Sequence, residues 1–550
     1  MIAPGRDARR AAARLCLVDF PGRSPTARVE RLIADDHLAG VVLFRKNVAG
    51  GPQVAALTAA LRRVAHGARA SLPWIAIDHE GGAVDRFAPD DADRTDAGRG
   101  ARQHASDDAS RDDAASGGEP RPTRLPSAMA LGAAGDPELA HAAGGVAGRE
   151  LRALGINLNF APVMDVNTDP ANPIIGARAF GDAPALVTAM GVAYLRGLQA
   201  EGVAATAKHF PGHGGVAVDS HVALPVVADA RDRLEAVALP PFRAAVRAAV
   251  AAVMTAHVVV PALDPTGRPA TMSAPVLTEL LRTGWGYSGL VCSDALGMRA
   301  VTDHTGPGEA AVAAVAAGCD LLLALGPDAM QDEILDGLAR AVERGALPAA
   351  RVAEALARVE AAAARWVAGG PPPPPPADLE AAIGTEAHRR LAARIAEAAV
   401  TLVRDPGVLP LARSPIDVVA ASPEAPAEAL AAALRRHGGR ARSLAAADAG
   451  ASGHVVVVTR SRGPLVPDAV AVVREVAART RGAMALVATG DPYDVAQAPR
   501  EAAALATYGT DPASLDAAAR VLLGLLRSVG RLPVALPAAT SGPAGETVRP

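Results

Sequence analysis

The sequence predicts an α/β protein, namely a (β/α)8 TIM-like barrel followed by a second α/β sandwich domain. Short apolar runs alternate with alanine-rich helical patterns along the first 366 of the 550 residues. Alternating strands and helices imply parallel strands that are joined by right-handed crossovers. About eight such units fit this length, which favours a barrel with insertions. A doubly wound open sheet is the alternative interpretation.

Eight apolar runs are the candidate barrel strands. They cover residues 14–20, 40–44, 74–77, 156–162, 203–207, 252–256, 290–292 and 320–324. Helical patterns lie between most of these runs, at residues 52–64, 137–154, 184–200 and 231–249. The order of the elements therefore repeats strand and helix, as the barrel requires.

Residues 89–124 break this alternation. The segment is rich in Asp, Arg, Ser and Gly and has almost no large apolar side chains. Such a segment buries too little apolar surface to offset its ordering entropy, so we predict a disordered insertion. A tolerated surface loop is the simple interpretation, and a role in gating the substrate is the other.

A run of two glycines and six prolines at residues 369–376 marks the strongest domain boundary. Consecutive prolines cannot continue a helix or a central strand. We therefore predict a catalytic barrel over residues 1–366, a linker over 367–378 and a C-terminal α/β domain over 379–550.

The C-terminal domain is predicted to begin with one long helix at residues 378–402. Strands are predicted at residues 416–420, 454–459, 484–489 and 505–508, with helices at 426–436, 467–480 and 514–528. Few titratable residues cluster after these strands, so the sequence assigns this domain no catalytic role.

Charge, cysteine count and hydropathy indicate which partners and which compartment to expect. A net charge of −3 over this length gives no reason to expect nucleic acid or an anionic membrane as a partner. The three cysteines are widely spaced, which argues against a disulfide framework and fits a reducing compartment. The first residues lack the long apolar segment of a signal peptide, and the most apolar region is interrupted by charged residues and proline. We expect a soluble cytoplasmic protein, whose oligomeric state the sequence does not give.

Polar residues follow most of the predicted barrel strands, at the end where barrels place their chemistry. These residues are Asp19, Arg45, Lys46, Asp78, Glu80, Asp165, Lys208, His209, His257 and Asp294. Their repeated occurrence supports both the fold and an active site at that end of the barrel.

The glycine-rich segment at residues 207–225, AKHFPGHGGVAVDSHVALP, is the most informative part of the chain. Glycines allow a tight backbone on which several polar side chains converge. Asp219 stands two residues before His221, and a carboxylate beside an imidazole holds its tautomer and tunes its basicity for acid–base catalysis. A Ser-His-Asp triad through Ser220 is disfavoured, because no nucleophile elbow surrounds that serine.

Several of these residues have more than one interpretation. Asp294, in VCSDALGM, has the chemistry of a nucleophile, a base, a metal ligand or a helix cap. Asp78, Glu80 and Arg86, in IDHEGGAVDR, line one pocket or form an ordinary turn with solvated charges. Arg178, in NPIIGARAFG, offers a planar fork of donors to a ligand or forms a structural salt bridge.

A metal site is disfavoured, and no cofactor is expected. Four residues of the 207–225 segment have ligand chemistry: His209, His213, Asp219 and His221. However, Pro211 and Gly212 disfavour the helix that would present two histidines to zinc at positions i and i+4.

Together, the motifs KHFPGHGGVAVDSH, IDHEGG, NLNFAPVMDVN, GARAFG and VCSDALGM resemble glycoside hydrolase family 3, most closely its β-N-acetylglucosaminidase branch. The match runs through most of residues 11–366. It continues more weakly in AVTLVRDPGVLPL, ATGDPYDV and GRLPVALP, which are similar to the second domain of that family.

The resemblance implies a retaining double displacement on a small, cell-wall or chitin-derived saccharide. It makes Asp294 the nucleophile and His221 the acid/base, with Asp219 as the partner of that histidine. A histidine departs from the usual pair of carboxylates, but a pKa near neutrality suits a group that first donates and then accepts a proton.

The residues that the resemblance assigns to the sugar hydroxyls and the N-acetyl group are Asp78, Arg86, Arg178, Lys208 and His209. His213 is left with a structural role. Two positions depart from the family pattern: Gly215 stands where the family has Asp in GHGD, and Ala83 stands where it has Arg in DQEGGR. Three alternatives stay open: a phosphorylase, a β-glucosidase of the same family and a non-catalytic sugar-binding protein.

Overall fold

The computed structural model describes most of the chain. The described residues are 5–88, 120–216, 218–220, 223–369, 373–375, 378–411, 414–450 and 453–537. Within them, no helix has both the length and the apolar character needed to cross a membrane.

The N-terminal part is a closed barrel of eight parallel strands, β1 to β8, that pair in sequence order. The strands are β1 Cys16–Val18, β2 Gly40–Leu43, β3 Trp74–Ile77, β4 Leu158–Asn159, β5 Ala204–Phe210, β6 Ala252–Thr255, β7 Leu290–Ala295 and β8 Leu321–Ala324. Almost every strand residue is buried, because the barrel interior is filled by side chains and the helices cover the outside.

Two strands extend beyond their apolar runs. The sequence ends the fifth strand at residue 207 and the seventh at 292, whereas β5 continues to Phe210 and β7 to Ala295. Polar residues complete these strands, so an apolar pattern alone did not indicate them. As a result, Lys208, His209 and Asp294 lie on the strands themselves and have a more rigid support than loops provide.

Helices surround the barrel. They span Arg6–Ala13, Ala27–Ala34, Gly51–Gly67, Ala128–Ala134, Pro137–Ala153, Pro184–Ala200, Arg231–Arg233, Leu239–Arg247, Arg299–Thr302, Pro307–Ala317, Asp328–Glu343 and Ala349–Ala363. Three π-helical segments span Leu234–Ala238, Pro275–Gly284 and Ala364–Ala368. The single helix predicted at residues 231–249 is therefore wrong in detail: a π-helical segment divides it just before Pro240 and Pro241, which lack the N–H donors of a regular helix.

The C-terminal part contains a six-stranded sheet in the order β11-β10-β12-β13-β14-β9. The strands are β9 Thr401–Arg404, β10 Ile416–Ala420, β11 Ala441–Leu444, β12 His454–Thr459, β13 Met484–Ala488 and β14 Ala503–Ala506. Its helices span Leu379–Ala382, Glu386–Ala399, Ala427–Arg436, Pro467–Arg479 and Pro512–Leu522. Five strands are parallel and β9 is antiparallel to β14. The two sheets confirm the predicted fold class.

The long helix predicted at residues 378–402 is wrong. The chain forms two helices separated at residues 383–385, where Gly384 has a φ of +58° and the Thr385 side chain caps the second helix. The last residues of the predicted helix form strand β9 instead, because they pair with β14 about a hundred residues away. Strand β11 was also missed, since an edge strand that begins Ala-Arg-Ser has no apolar run.

The predicted insertion is too long at its C-terminal end. Residues 89–119 lie outside the described residues, but residues 120–124 are packed against the barrel. Thr123 donates from its backbone N and its Oγ1 to the buried Glu150 carboxylate, at 2.8 and 2.7 Å. The predicted linker likewise begins too early, since the π-helical segment continues to Ala368. The boundaries of the two domains otherwise stay predictions.

Candidate active site

Five charged side chains meet at the C-terminal ends of the barrel strands. We call them the charged cluster: Asp78, Glu80, Arg86, Arg178 and Lys208. Lys208 Nζ donates to Asp78 Oδ1 at 2.6 Å and lies 2.5 Å from Glu80 Oε1. Arg178 holds Glu80 with two parallel bonds, Nε to Oε2 at 2.9 Å and Nη2 to Oε1 at 2.7 Å. Arg86 Nε donates to the Asp78 carbonyl at 3.0 Å. Three cations thus surround two carboxylates.

The two carboxylates of the cluster differ in how far their side chains are buried. The Glu80 side chain is 5% exposed and that of Lys208 is 2% exposed, whereas Asp78 keeps 23% of its surface. Burial opposes ionisation of Glu80, but Arg178 and Lys208 more than offset it and hold the pKa of Glu80 well below its ordinary value. Glu80 is therefore an internal anchor, and Asp78 is the carboxylate that a ligand reaches more easily.

Lysine is nearly absent from the chain. Of the 55 Lys and Arg residues, two are lysines, Lys46 and Lys208. Both lie just past or at the ends of barrel strands and both contact carboxylates, Lys46 that of Asp19. Arginine occupies every other basic position, so lysine at 208 indicates that the buried site needs a compact ammonium group rather than a planar guanidinium.

Exchanging this ammonium group for a guanidinium should damage the site. We expect Lys208→Arg to lower kcat/KM about 100-fold, because the larger group displaces the two carboxylates that Lys208 contacts. The control is Lys46→Arg, whose side chain is 45% exposed, and which should change kcat/KM by less than about twofold. Equal kcat/KM for both variants would show that the cluster tolerates the larger group.

A second network orients two histidines of the 207–225 segment. Asp165 is completely buried; its Oδ2 accepts from His209 Nδ1 at 2.7 Å and its Oδ1 accepts from the His213 backbone N at 2.7 Å. Burial opposes ionisation, but the two histidines more than offset it and lower the pKa of Asp165. The bond to Nδ1 fixes the His209 ring so that Nε2 points away from Asp165.

His213 joins two parts of the same loop. Its Nε2 lies 3.1 Å from Ser220 Oγ, and both residues are buried. Burial lowers the pKa of His213 to about 4, so the ring is neutral near pH 7. A neutral, buried histidine held in this way fits the structural role expected from the sequence.

Asp294 lies at the end of β7, where the pairing with β8 shifts between Cys292 and Ala295. Ser293 Oγ accepts the Leu323 backbone N–H at 3.1 Å and so bridges the shifted region. His257 Nε2 lies 3.0 Å from the Ala295 carbonyl, on the other side of Asp294. The chain on both sides of this half-buried carboxylate is therefore tied to its neighbours, by the Ser293 side chain to β8 and by the Ala295 carbonyl to His257, which follows β6.

The segment at residues 218–220 lies against the chain that follows Asp294. The Ser220 carbonyl accepts from Ala300 N at 3.3 Å, and Ala300 belongs to the short helix after β7. Asp219 is half-buried in this segment. His221 lies outside the described residues. The structure thus brings the residue before His221 into contact with the short helix that follows Asp294.

Comparison with known proteins gives a consistent family. Residues 113–362 match the model of the glycosyl hydrolase family 3 N-terminal domain. A beta-hexosaminidase of Xylella fastidiosa strain M23 is 37% identical over 326 residues, which cover 58% of this chain and 86% of the relative. The beta-hexosaminidase A of Pseudoalteromonas piscicida is 34% identical over 407 residues, and this chain spans 62% of its length.

A solved structure matches nearly the whole chain. The glycoside hydrolase family 3 β-N-acetylglucosaminidase from Paenibacillus sp. strain FPU-7 is 35% identical, with a TM-score of 0.86 over 97% of this chain and 99% of that one. The chain belongs to glycoside hydrolase family 3. The family predicted from the sequence motifs is thereby confirmed, and with it the class of enzyme, a glycoside hydrolase.

The family 3 motifs supply the residues of the charged cluster and of the histidine network. IDHEGG supplies the two carboxylates of the charged cluster, GARAFG supplies Arg178, and KHFPGH supplies Lys208 and the two histidines. The structure brings the predicted residues Asp78, Arg86 and Lys208 into direct contact and joins Arg178 to Lys208 through Glu80. It places His209 in the separate network with Asp165. The roles of these residues stay predictions.

Sequence reasoning missed two supports of this family 3 site. Glu80, within IDHEGG, was expected to face a pocket with Asp78 and Arg86, but it was not assigned to the sugar or recognised as the anchor of Arg178 and Lys208. Asp165 was noted as one of the polar residues that follow the predicted strands, and it proves to be the anchor of His209 and His213. Among the described residues, no group of three or more His, Cys, Asp or Glu side chains is arranged to hold a metal ion.

Proposed function

We propose that this chain removes terminal non-reducing β-linked N-acetylglucosamine from small saccharides by a retaining mechanism. Cell-wall and chitin fragments are the substrate class. The observation that carries the proposal is the contact between the Ser220 and Ala300 backbones, which joins the Asp219 segment to the short helix that follows β7 and Asp294. The names of the family 3 relatives support the same sugar.

In the first step, an Asp294 carboxylate oxygen attacks the anomeric carbon and forms a covalent glycosyl-enzyme. The bond to the leaving oxygen breaks, and His221 gives that oxygen its proton. In the second step, His221 accepts a proton from water, the resulting hydroxide bonds to the anomeric carbon, and Asp294 is released. Two inversions at one carbon retain its configuration. Asp219 stabilises the imidazolium form of His221, which is present before the first step and is restored by the second.

The charged cluster holds the sugar in this scheme. Asp78, as its more exposed carboxylate, accepts hydrogen bonds from sugar hydroxyls, and Lys208 and Arg86 fix its orientation. Arg178, whose side chain is 14% exposed, presents its remaining donor surface to the sugar while Glu80 holds its position. His209 offers Nε2 to the same ligand, because Asp165 occupies Nδ1.

A substrate panel tests the proposal. Aryl β-N-acetylglucosaminide should be turned over with the β anomer as the first product, and aryl β-glucoside should be a poorer substrate. The panel is run with and without phosphate: free sugar in both conditions supports hydrolysis, and sugar 1-phosphate would identify a phosphorylase. Binding of N-acetylglucosamine without any turnover would identify a sugar-binding protein and overturn the proposal.

Removal of the acid/base should depend on the leaving group. We expect His221→Ala to lower kcat/KM about 10²- to 10⁴-fold for a disaccharide, whose leaving oxygen needs a proton. For a dinitrophenyl glycoside, whose leaving group departs as an anion, the loss in the first step should be much smaller. The measurement is kcat/KM across a series of phenols of decreasing pKa.

The matched control is His304→Ala, an exposed histidine on the segment after β7. It should leave kcat/KM unchanged for every leaving group. If His221→Ala lost the same factor for the disaccharide and the dinitrophenyl glycoside, His221 would not be the proton donor.

A further inference from the structure

A buried carboxylate of the second domain contacts the barrel. Asp491 follows strand β13 and is 2% exposed. Its Oδ1 accepts from Ala177 N of the barrel at 2.6 Å, and its Oδ2 accepts from Gly463 N of its own domain at 2.6 Å. The carboxylate therefore links the end of β13, the loop after β12 and a barrel loop that is 314 residues away in sequence.

The barrel loop that Asp491 holds is the one that carries Arg178. Gly176–Arg178 is a single 3-10 turn, so Ala177 is the residue directly before the arginine. Gly176 has a φ of +43°, and a Cβ added there would lie 2.3 to 2.7 Å from the Asp491 carboxylate. The turn and the carboxylate are thus in contact with no room for a side chain between them.

A second bond fixes the same loop from the same side. Tyr493, two residues after Asp491, accepts through its hydroxyl from Asn167 Nδ2 at 2.8 Å. Asn167 N in turn donates to the Gly181 carbonyl at 3.0 Å, across the far end of the loop. The loop at residues 167–181 is consequently held at its base and at its turn by residues 491–493.

We propose that Asp491 is a positioning residue of the second domain, which sets the place of Arg178 and through it the sugar-binding cluster. The inference rests on the proposed function, since it assigns Arg178 to the sugar. Asp491 itself touches no member of the charged cluster in the described contacts; it acts through the Ala177 backbone. The sequence-based expectation that the C-terminal domain has no part in catalysis would then be wrong.

The ionised form of Asp491 is the form that holds the turn, because it accepts two N–H donors at once. Burial raises its pKa to about 6, against the two backbone N–H groups and Arg462, which lower it. The other titratable groups that face it are Asp494 and Tyr493. Below pH 6 a proton on one oxygen would replace an acceptor by a donor, so KM should rise as pH falls through this range.

The test is Asp491→Asn in the full-length chain, with an aryl β-N-acetylglucosaminide as the substrate. An amide keeps the size of the side chain but turns one of the two acceptors into a donor. We expect KM to rise about tenfold with a smaller change in kcat. The variant's KM should also be nearly constant between pH 5 and 7, where the wild-type KM rises on acidification.

The decisive measurement repeats the substitution in an Arg178→Ala background. If Asp491 acts through Arg178, Asp491→Asn should change kcat/KM by less than about twofold there. The matched control is Asp494→Asn, a buried carboxylate of the same segment that bonds Ser461 of its own domain. It should leave KM within about twofold of the wild-type value.

Amide hydrogen exchange of the peptide at residues 172–181 separates this inference from the proposed function. Asp491→Asn should speed exchange in this peptide, and Asp494→Asn should not. If the wild type released no sugar, the proposed function would be wrong. The amide hydrogen exchange of residues 172–181 would still show whether Asp491 holds the turn. Unchanged exchange, an unchanged KM, or effects of Asp491→Asn and Arg178→Ala that multiply would each overturn the positioning role.

Discussion

Asp294→Ala should lower kcat for an aryl β-N-acetylglucosaminide by at least about 10⁴-fold, while the protein folds normally. The carboxylate would be the only group that bonds to the anomeric carbon, so no other side chain can replace it in the first step. Ala295 N would lose its bond to Asp294 Oδ1, but Ser293 stays bonded to Leu323 of β8 and the Ala295 carbonyl stays in contact with His257. The backbone at this site should therefore survive the substitution.

Added azide distinguishes a lost nucleophile from a distorted site. A small anion fits the space left by the carboxylate and attacks the same face of the sugar, so Asp294→Ala should regain activity and release an α-glycosyl azide. The control is Asp303→Ala, an exposed residue that pairs with Arg299 on the following helix and should keep wild-type kcat. Wild-type activity in Asp294→Ala would refute the mechanism, and a β-glycosyl azide would refute the role of Asp294.

The sequence was most informative where chemistry and strand order coincide. An apolar run predicts each barrel strand, and barrels carry their functional polar residues at the C-terminal ends of the strands. That logic located Asp78, Lys208 and Asp294. It failed where a strand continues through polar residues, as β7 does through Ser293 and Asp294, because burial at a barrel mouth does not require apolar side chains.

The role of the second domain could not be predicted in this way. Helix propensity favoured a continuous helix through residues 378–402, and tertiary pairing of β9 with β14 overrode it. Likewise, ATGDPYDV contains Asp491, but its partner Ala177 bonds it only through a backbone N–H. Every residue except proline has this donor, so the residue type at 177 does not indicate the contact. Contacts between a side chain and a distant backbone are therefore the part of a site that a motif cannot show.

Glu80→Gln should be the most destabilising single substitution at the site. Glu80 is 5% exposed and neutralises both Arg178 and Lys208. An amide would leave three cations around the single carboxylate of Asp78. Breaking a buried ion pair in this way costs about 3–5 kcal/mol of unfolding free energy. Activity should fall as well, because an amide keeps one acceptor oxygen and Arg178 would lose one of the two bonds of its fork.

The pH dependence of this loss has a definite sign. The folded state lowers the pKa of Glu80 below 4.5, so its ionised form stabilises the fold at every pH above that value, and the contribution disappears as pH falls through the lowered pKa. The difference in unfolding free energy between wild type and Glu80→Gln should accordingly stay constant from pH 8 to about 5 and shrink only in stronger acid. Denaturant titrations across this range measure it.

An exposed ion pair provides the matched control for Glu80. Glu201 pairs with Arg149 at 2.8 Å, with side chains 30% and 55% exposed. Since water already solvates both groups, Glu201→Gln should cost less than about 1 kcal/mol at any pH. If Glu80→Gln cost no more than this control, Glu80 would not be the anchor of the charged cluster. If the loss of unfolding free energy caused by Glu80→Gln became smaller between pH 8 and 6, a residue other than Glu80 would be titrating. That residue, and not Glu80, would then balance the charges of Arg178 and Lys208.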